Sequence, residues 1–283
     1  MNRILCSTGA IIGKPSSDNF ALLKRLSGEL TCDGFEFIIE FHMYEAGYED
    51  VEKQKCDLMK LNVCIPVVHC DKIVGEYISV GGEENIAEAY RLFEINCDFA
   101  KDIGAEKLVL HLWGGRASDG QMQNNIAAYP SLRRIADKYG LDLLVENVVC
   151  NRENPMKHLC ELREVYPDIH FLFDTKMAAF HEELELLYEK EYDWLWKDGL
   201  IRHYHVNDYA GGYMDWSNLS ALPVGTGKLD FEQFFDFLRS TGFEGDITTE
   251  GVAFDEDGNV DVELLNRQFA YIREKIHNNV FDN

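Results

Sequence analysis

Residues 85–113 read NIAEAYRLFEINCDFAKDIGAEKLVLHLW. From 85 to 105 the apolar side chains recur at i, i+3 and i+4, the period of a helix with one buried face; from 107 to 113 they run together as in a short buried strand. The same alternation recurs along the whole chain. Further strands are predicted at 3–9 (RILCSTG), 34–40 (GFEFIIE), 63–69 (VCIPVVH), 141–147 (LDLLVEN), 170–175 (HFLFDT), 202–208 (RHYHVND) and 245–251 (GDITTEG), and a helical pattern at 260–276 closes the chain. Eight strands alternating with helices imply parallel pairing through right-handed crossovers. They predict an α/β fold of one (β/α)8 barrel; a doubly wound sheet rarely runs to eight such even units. Ser17 is expected to cap the first helix, with Gly140 and Gly242 ending the helices before strands five and eight. With no Pro- or Ser-rich linker, 1–283 is read as a single domain. The one extended loop, 209–228, has a length that usually signals function.

Composition narrows the partners. The 283 residues are 46% hydrophobic, enough for a sizeable core, and carry a formal net charge of -23. Such a charge repels a polyanion, so nucleic acid is not expected as a partner. The cysteines form no CxxC pair, and many sit in apolar runs, as in a reducing compartment. No stretch approaches the roughly 18 apolar residues of a membrane span. A soluble cytoplasmic protein that meets no membrane is expected, one compatible with a homo-oligomer.

In a barrel of this kind chemistry gathers at the C-terminal ends of the strands. His69 ends the third predicted strand, and His111, Glu146, Asp174, His205 and Glu250 fall late in the next five. Along 202–208, His203, His205 and Asn207 share one face and Asp208 takes the other. His203, one layer below the rim, reads as a hydrogen-bonded core histidine, and Glu146 or Asp174 taken alone could cap the following helix. Taken together, three carboxylates and three histidines at one mouth carry a desolvation and repulsion cost that a divalent cation relieves. Nitrogen and oxygen donors without thiolate suit Mn2+, Co2+, Zn2+ or Mg2+.

In order and spacing, HLWGG (111–115), LVEN (144–147), FDT (173–175), HVND (205–208), VGTGKLDF (224–231) and TTEG (248–251) resemble the xylose isomerase-like TIM barrel superfamily. That group holds sugar (phosphate) isomerases and epimerases, the endonuclease IV type of repair enzyme and inosose dehydratases. DGFEF (33–37) is similar to its strand-two motif, with Glu36 at the acidic position. The resemblance implies that Glu146, Asp174, His205 and Glu250 hold one metal. It also implies that His69 and His111 bind either a second metal, as in the endonucleases, or the substrate. Met177 and Ser217 stand where the endonuclease branch has further histidine ligands, with Asp215 alone remaining, so a trinuclear site is not expected.

The expected activity is a metal-dependent sugar or sugar phosphate isomerase or epimerase acting on a ketose-like small molecule through an enediolate. Glu146 and Glu250 would be its acid/base pair, one for each face of the substrate. Asn207 and Asp208 are expected to orient His205 or the loop behind it. His69, His111 and Glu36 would contact substrate, and Lys176, Arg116 and Arg152 would form a positive spot for an anionic group. Lys176 pairing with Glu182 or Glu183 is the structural alternative. An inosose-type dehydratase would use the same metal and base; a non-catalytic sugar-binding barrel and an AP endonuclease are the remaining alternatives. GTGK (225–228) lacks the Ser or Thr of a Walker loop and reads as a turn into the next helix.

Overall fold

Alternation of side chains along each apolar run decides which of them fill the barrel lumen. The computed structural model describes residues 2–45 and 47–277. Its strands are β1 (Ile4–Ser7), β2 (Gly34–Ile38), β3 (Val67–His69), β4 (Lys107–Leu110), β5 (Asp142–Glu146), β6 (His170–Asp174), β7 (Ile201–His205) and β8 (Asp246–Thr249). Every neighbouring pair is parallel, and β1 pairs with β8 to close the barrel. The helices are α1 (Phe20–Glu29), α2 (Tyr48–Met59), α3 (Ile73–Val80), α4 (Glu83–Asp102), α5 (Met122–Tyr139), α6 (Pro155–Val165), α7 (Thr175–Phe180), α8 (Trp194–Lys197), α9 (Phe231–Thr241) and α10 (Val262–His277). Leu5, Val67, Val109, Leu144 and Leu172 form a small aliphatic layer of their own, and a far larger core spans the strands and helices around it.

The strands are shorter than the apolar runs that announce them. The third run begins at 63 but its ladder only at Val67, directly after Pro66, which has no N–H to donate. His111, Asn207, Asp208 and Glu250 lie just beyond strand ends. Gly140 and Gly242 do end α5 and α9 in left-handed geometry. Ser17 does not cap α1: Asn19 takes that position, and the Ser17 hydroxyl donates to Asp57. The 209–228 segment folds back through an antiparallel bridge between Asp208 and Leu222.

Asp208 explains the GTGK turn. Its buried carboxylate accepts the backbone N–H groups of Gly225 (2.9 Å), Gly227 (2.8 Å), Leu229 (3.1 Å) and its neighbour Tyr209 (2.8 Å). The donors that a phosphate would need are already spent on an internal anion. A side chain at 227 would strike that carboxylate, since a Cβ there would lie 2.4 Å from Asp208 Oδ1.

Candidate functional site

His205 organises the mouth of the barrel. Its Nε2 lies 2.9 and 3.0 Å from the two oxygens of Glu36 and therefore donates to that carboxylate. Its Nδ1 is fully buried without a hydrogen-bond partner, facing Glu146 Oε1 at 3.5 Å and Asp174 Oδ2 and Glu250 Oε2 each at 3.7 Å. Burial alone would disfavour a charged ring, but Glu36 and Glu250 outweigh it and hold the His205 pKa well above the ordinary histidine value. Donor atoms of Glu146, Asp174 and His205 lie within 4.8 Å of one another and could hold a metal ion; Glu250 stands outside that triplet. Metal–ligand bonds of about 2.1 Å put neighbouring donors roughly 3.0–3.4 Å apart, so small side-chain movements would suffice.

Each ligand-type side chain is held from behind. Asp174 divides its oxygens: Oδ1 caps α7 by accepting Met177 N at 3.0 Å, while Oδ2 faces the cluster. The helix-cap and cluster roles expected as alternatives thus coexist. Glu36 Oε2 also accepts the Thr248 hydroxyl at 2.7 Å, and that hydroxyl lies 2.8 Å from His203 Nε2. Burial lowers the His203 pKa to about 3, which makes it the neutral core histidine expected. Burial works against the Glu36 charge too, but His205 outweighs it and the carboxyl falls to about 2.

Two asparagines fasten the rim. Asn147 accepts Asp174 N at 2.6 Å and donates to Asp174 O at 3.1 Å, joining the ends of β5 and β6. Asn207 accepts Glu250 N at 2.7 Å and donates to Glu250 Oε2 at 3.0 Å and Asp174 Oδ2 at 3.2 Å. The sequence reading had assigned Asn207 a supporting part but overlooked Asn147, whose one signal is its place directly after the strand-five glutamate.

The two glutamates have different surroundings. Glu146 is 1% exposed, and its Oε2 lies 2.8 Å from His111 Nε2 and 3.2 Å from His69 Nε2. His69 Nδ1 faces the Cys70 carbonyl at 2.9 Å. Burial lowers the His111 pKa to about 4, so the neutral ring donates to Glu146. These three residues form a second donor cluster. The Glu250 side chain, by contrast, is 17% exposed.

The expected positive spot does not assemble as foreseen. Lys176 is buried, and its Nζ turns inward, 3.7 Å from Glu250 Oε2 and 3.8 Å from Asp174 Oδ2. It pairs with neither Glu182 nor Glu183; the latter accepts Met156 N instead. Burial opposes its charge, but Asp174 and Glu250 outweigh that and raise the ammonium pKa. Arg116 and Arg152 are exposed, and among the described residues no ion pair joins either to the cluster. Both lie on loops stitched by Asp119, which accepts the backbone N–H groups of Asn151, Arg152 and Glu153. Asp119 also groups with Cys150 and His158, yet its oxygens are occupied by those amides and by His158, as a loop clamp requires. Glu36, expected against substrate, lies fully buried behind His205 and has no path to one. Asp215 is engaged by Ser217 and Asn218, away from the cluster.

The model of a family described as xylose isomerase-like TIM barrel matches residues 25–268. No curated protein matches the chain. Among solved structures, a xylose isomerase domain protein from Alicyclobacillus acidocaldarius is similar at 15% identity, covering 98% of each chain with a TM-score of 0.69. A D-allulose 3-epimerase from Methylomonas sp. is similar at 16% identity, with 97% of this chain and 98% of that one covered and a TM-score of 0.66. A 3-keto-D-glucoside 4-epimerase from E. coli is similar at 16% identity over 96% and 99%, with a TM-score of 0.61. At these identities the likeness is one of fold.

Proposed function

The chain belongs to the xylose isomerase-like TIM barrel family, and from that premise we propose that it is a divalent-metal-dependent isomerase or epimerase of a ketose-like sugar or sugar phosphate. The observation that carries this is the orphaned Nδ1 of His205, buried among three carboxylates while its other nitrogen is committed to Glu36. A buried acceptor facing acceptors needs a proton or a cation. Glu146, Asp174, His205 and Glu250 offer the mixed oxygen and nitrogen donors that Mn2+, Co2+, Zn2+ or Mg2+ accept. Such an ion, when bound, supplies the Lewis acidity that stabilises an enediolate.

The chain's own groups divide the remaining work. Glu250 is the more open carboxylate and would take the substrate's C–H proton on its face. Glu146, covered by His69 and His111, would exchange a proton on the other face, with His111 at the mouth as its outlet. Lys176 lies beyond ordinary hydrogen-bond reach of Asp174 and Glu250, so its N–H groups are left for a substrate oxygen on which charge develops. The test is a panel of ketoses and keto-polyols incubated in D2O with each metal. Metal-dependent deuterium incorporation next to a carbonyl, without loss of water, is expected. Metal binding with no exchange on any member would overturn the proposal, and net loss of water would reassign the site to dehydration.

A further inference from the structure

A cavity of about 420 Å3 opens on the same C-terminal face, beyond β1, β2 and β3. Its volume falls within the roughly 300–1,000 Å3 of small-molecule sites. Ile38, at its floor, shares a strand face with Glu36 and pairs in register with His69, whose Nε2 is 3.2 Å from Glu146. The cavity therefore begins at the edge of the cluster described above. One lining residue is Phe41, a 39% exposed aromatic braced edge-on against Tyr44 at 5.5 Å. An exposed aromatic face beside polar groups suits the apolar face of a sugar ring.

The charges say what kind of unit fits. Lys14 and Lys72 line the cavity, but so do Glu40, Glu45 and Asp71, leaving an excess of negative charge. Asp71 is fixed by the Tyr44 hydroxyl and the Ile73 amide, and Glu40 by His42 at 3.2 Å. Fixed donors and acceptors of both kinds can bind neighbouring hydroxyls; a phosphate would meet three carboxylates. We propose that this cavity is a subsite for a second, uncharged sugar unit, so that the substrate is a neutral keto-glycoside or ketose disaccharide and not a phosphorylated monosaccharide. This rests on the reaction class proposed above.

The test compares affinities of the Mn2+-loaded protein for D-fructose, fructose 6-phosphate and three glucosyl-fructoses of different linkage: turanose, maltulose and isomaltulose. At least one disaccharide should bind tenfold or more tightly than D-fructose, with fructose 6-phosphate no tighter than D-fructose. Phe41→Ala, at an exposed position, should remove most of that advantage while leaving the D-fructose affinity within twofold; Lys72→Ala should reduce it in the same direction. Tighter binding of the phosphate, no disaccharide advantage, or an advantage unchanged in both variants would each overturn the subsite. Deuterium exchange is measured separately: its absence with every metal defeats the reaction class and leaves the affinity comparison to be judged alone.

Discussion

Replacing Glu36 by glutamine tests whether the cluster is built for a cation. Glu36 touches nothing outside the barrel lumen; it receives His205 Nε2 on both oxygens and the Thr248 hydroxyl on one. Glutamine keeps the size and one acceptor but removes the charge that makes the imidazole a strong donor through Nδ1. Loss of a carboxylate behind a metal-binding histidine typically weakens the metal about 10–100-fold, or roughly 1.4–2.7 kcal/mol. Calorimetric titration of Mn2+ into metal-free protein should therefore show about one site per chain in both proteins, with the dissociation constant raised by that factor in Glu36→Gln. Far-ultraviolet circular dichroism should be unchanged. Absence of saturable binding in the unmodified protein, or equal affinity in the two, would refute the assignment of His205 Nδ1 as a ligand.

Other changes separate support from chemistry. Asp208→Asn leaves one acceptor oxygen for four backbone donors, so two N–H groups lose partners at about 1–3 kcal/mol each; urea unfolding should register a loss of roughly 2–5 kcal/mol, and a loss under 1 kcal/mol would show that the GTGK turn holds without it. Lys176→Met should lower kcat on the order of 100-fold with little change in KM if the ammonium serves a developing oxyanion; a rise in KM alone would make it a ground-state binding group. Burial pushes the Glu183 carboxyl up to about 7 from an ordinary 4.5, so the folded state keeps a proton that the unfolded chain releases, and stability falls as pH rises between those values. Glu183→Gln should remove that fall, gaining roughly 1–2 kcal/mol at pH 8 relative to pH 4; an equal effect at both pH values would show that burial does not hold the proton.

The barrel was legible because its strands are continuous apolar runs, and a run needs no partner to be seen. Their ends were not, because a ladder stops where a neighbour stops: His111 lies in an apolar run but outside β4. The convergence of Glu146, Asp174 and His205 was readable from their late positions in successive runs, since topology alone brings strand ends together. The part played by Glu36 was not. Inward-facing Glu36 and His205 meet across the lumen, 169 residues apart in sequence, and no local pattern tells a carboxylate that faces the mouth from one that props a histidine. Lys176 was misjudged because α7 begins at Thr175, so its side chain follows helical geometry and not the continuing strand.

Asn147 and Asn207 bind strand end to strand end where the regular ladders have run out. The acidic cluster is thereby part of the barrel's frame and owes little to the segments that arch above it. Those segments can lengthen, shorten or change composition during divergence while the cluster beneath keeps its geometry. Selectivity on such a scaffold becomes modular: the 39–45 and 209–222 stretches form an interchangeable cover, and grafting them between barrels would carry preference for one partner molecule without rebuilding the reactive floor.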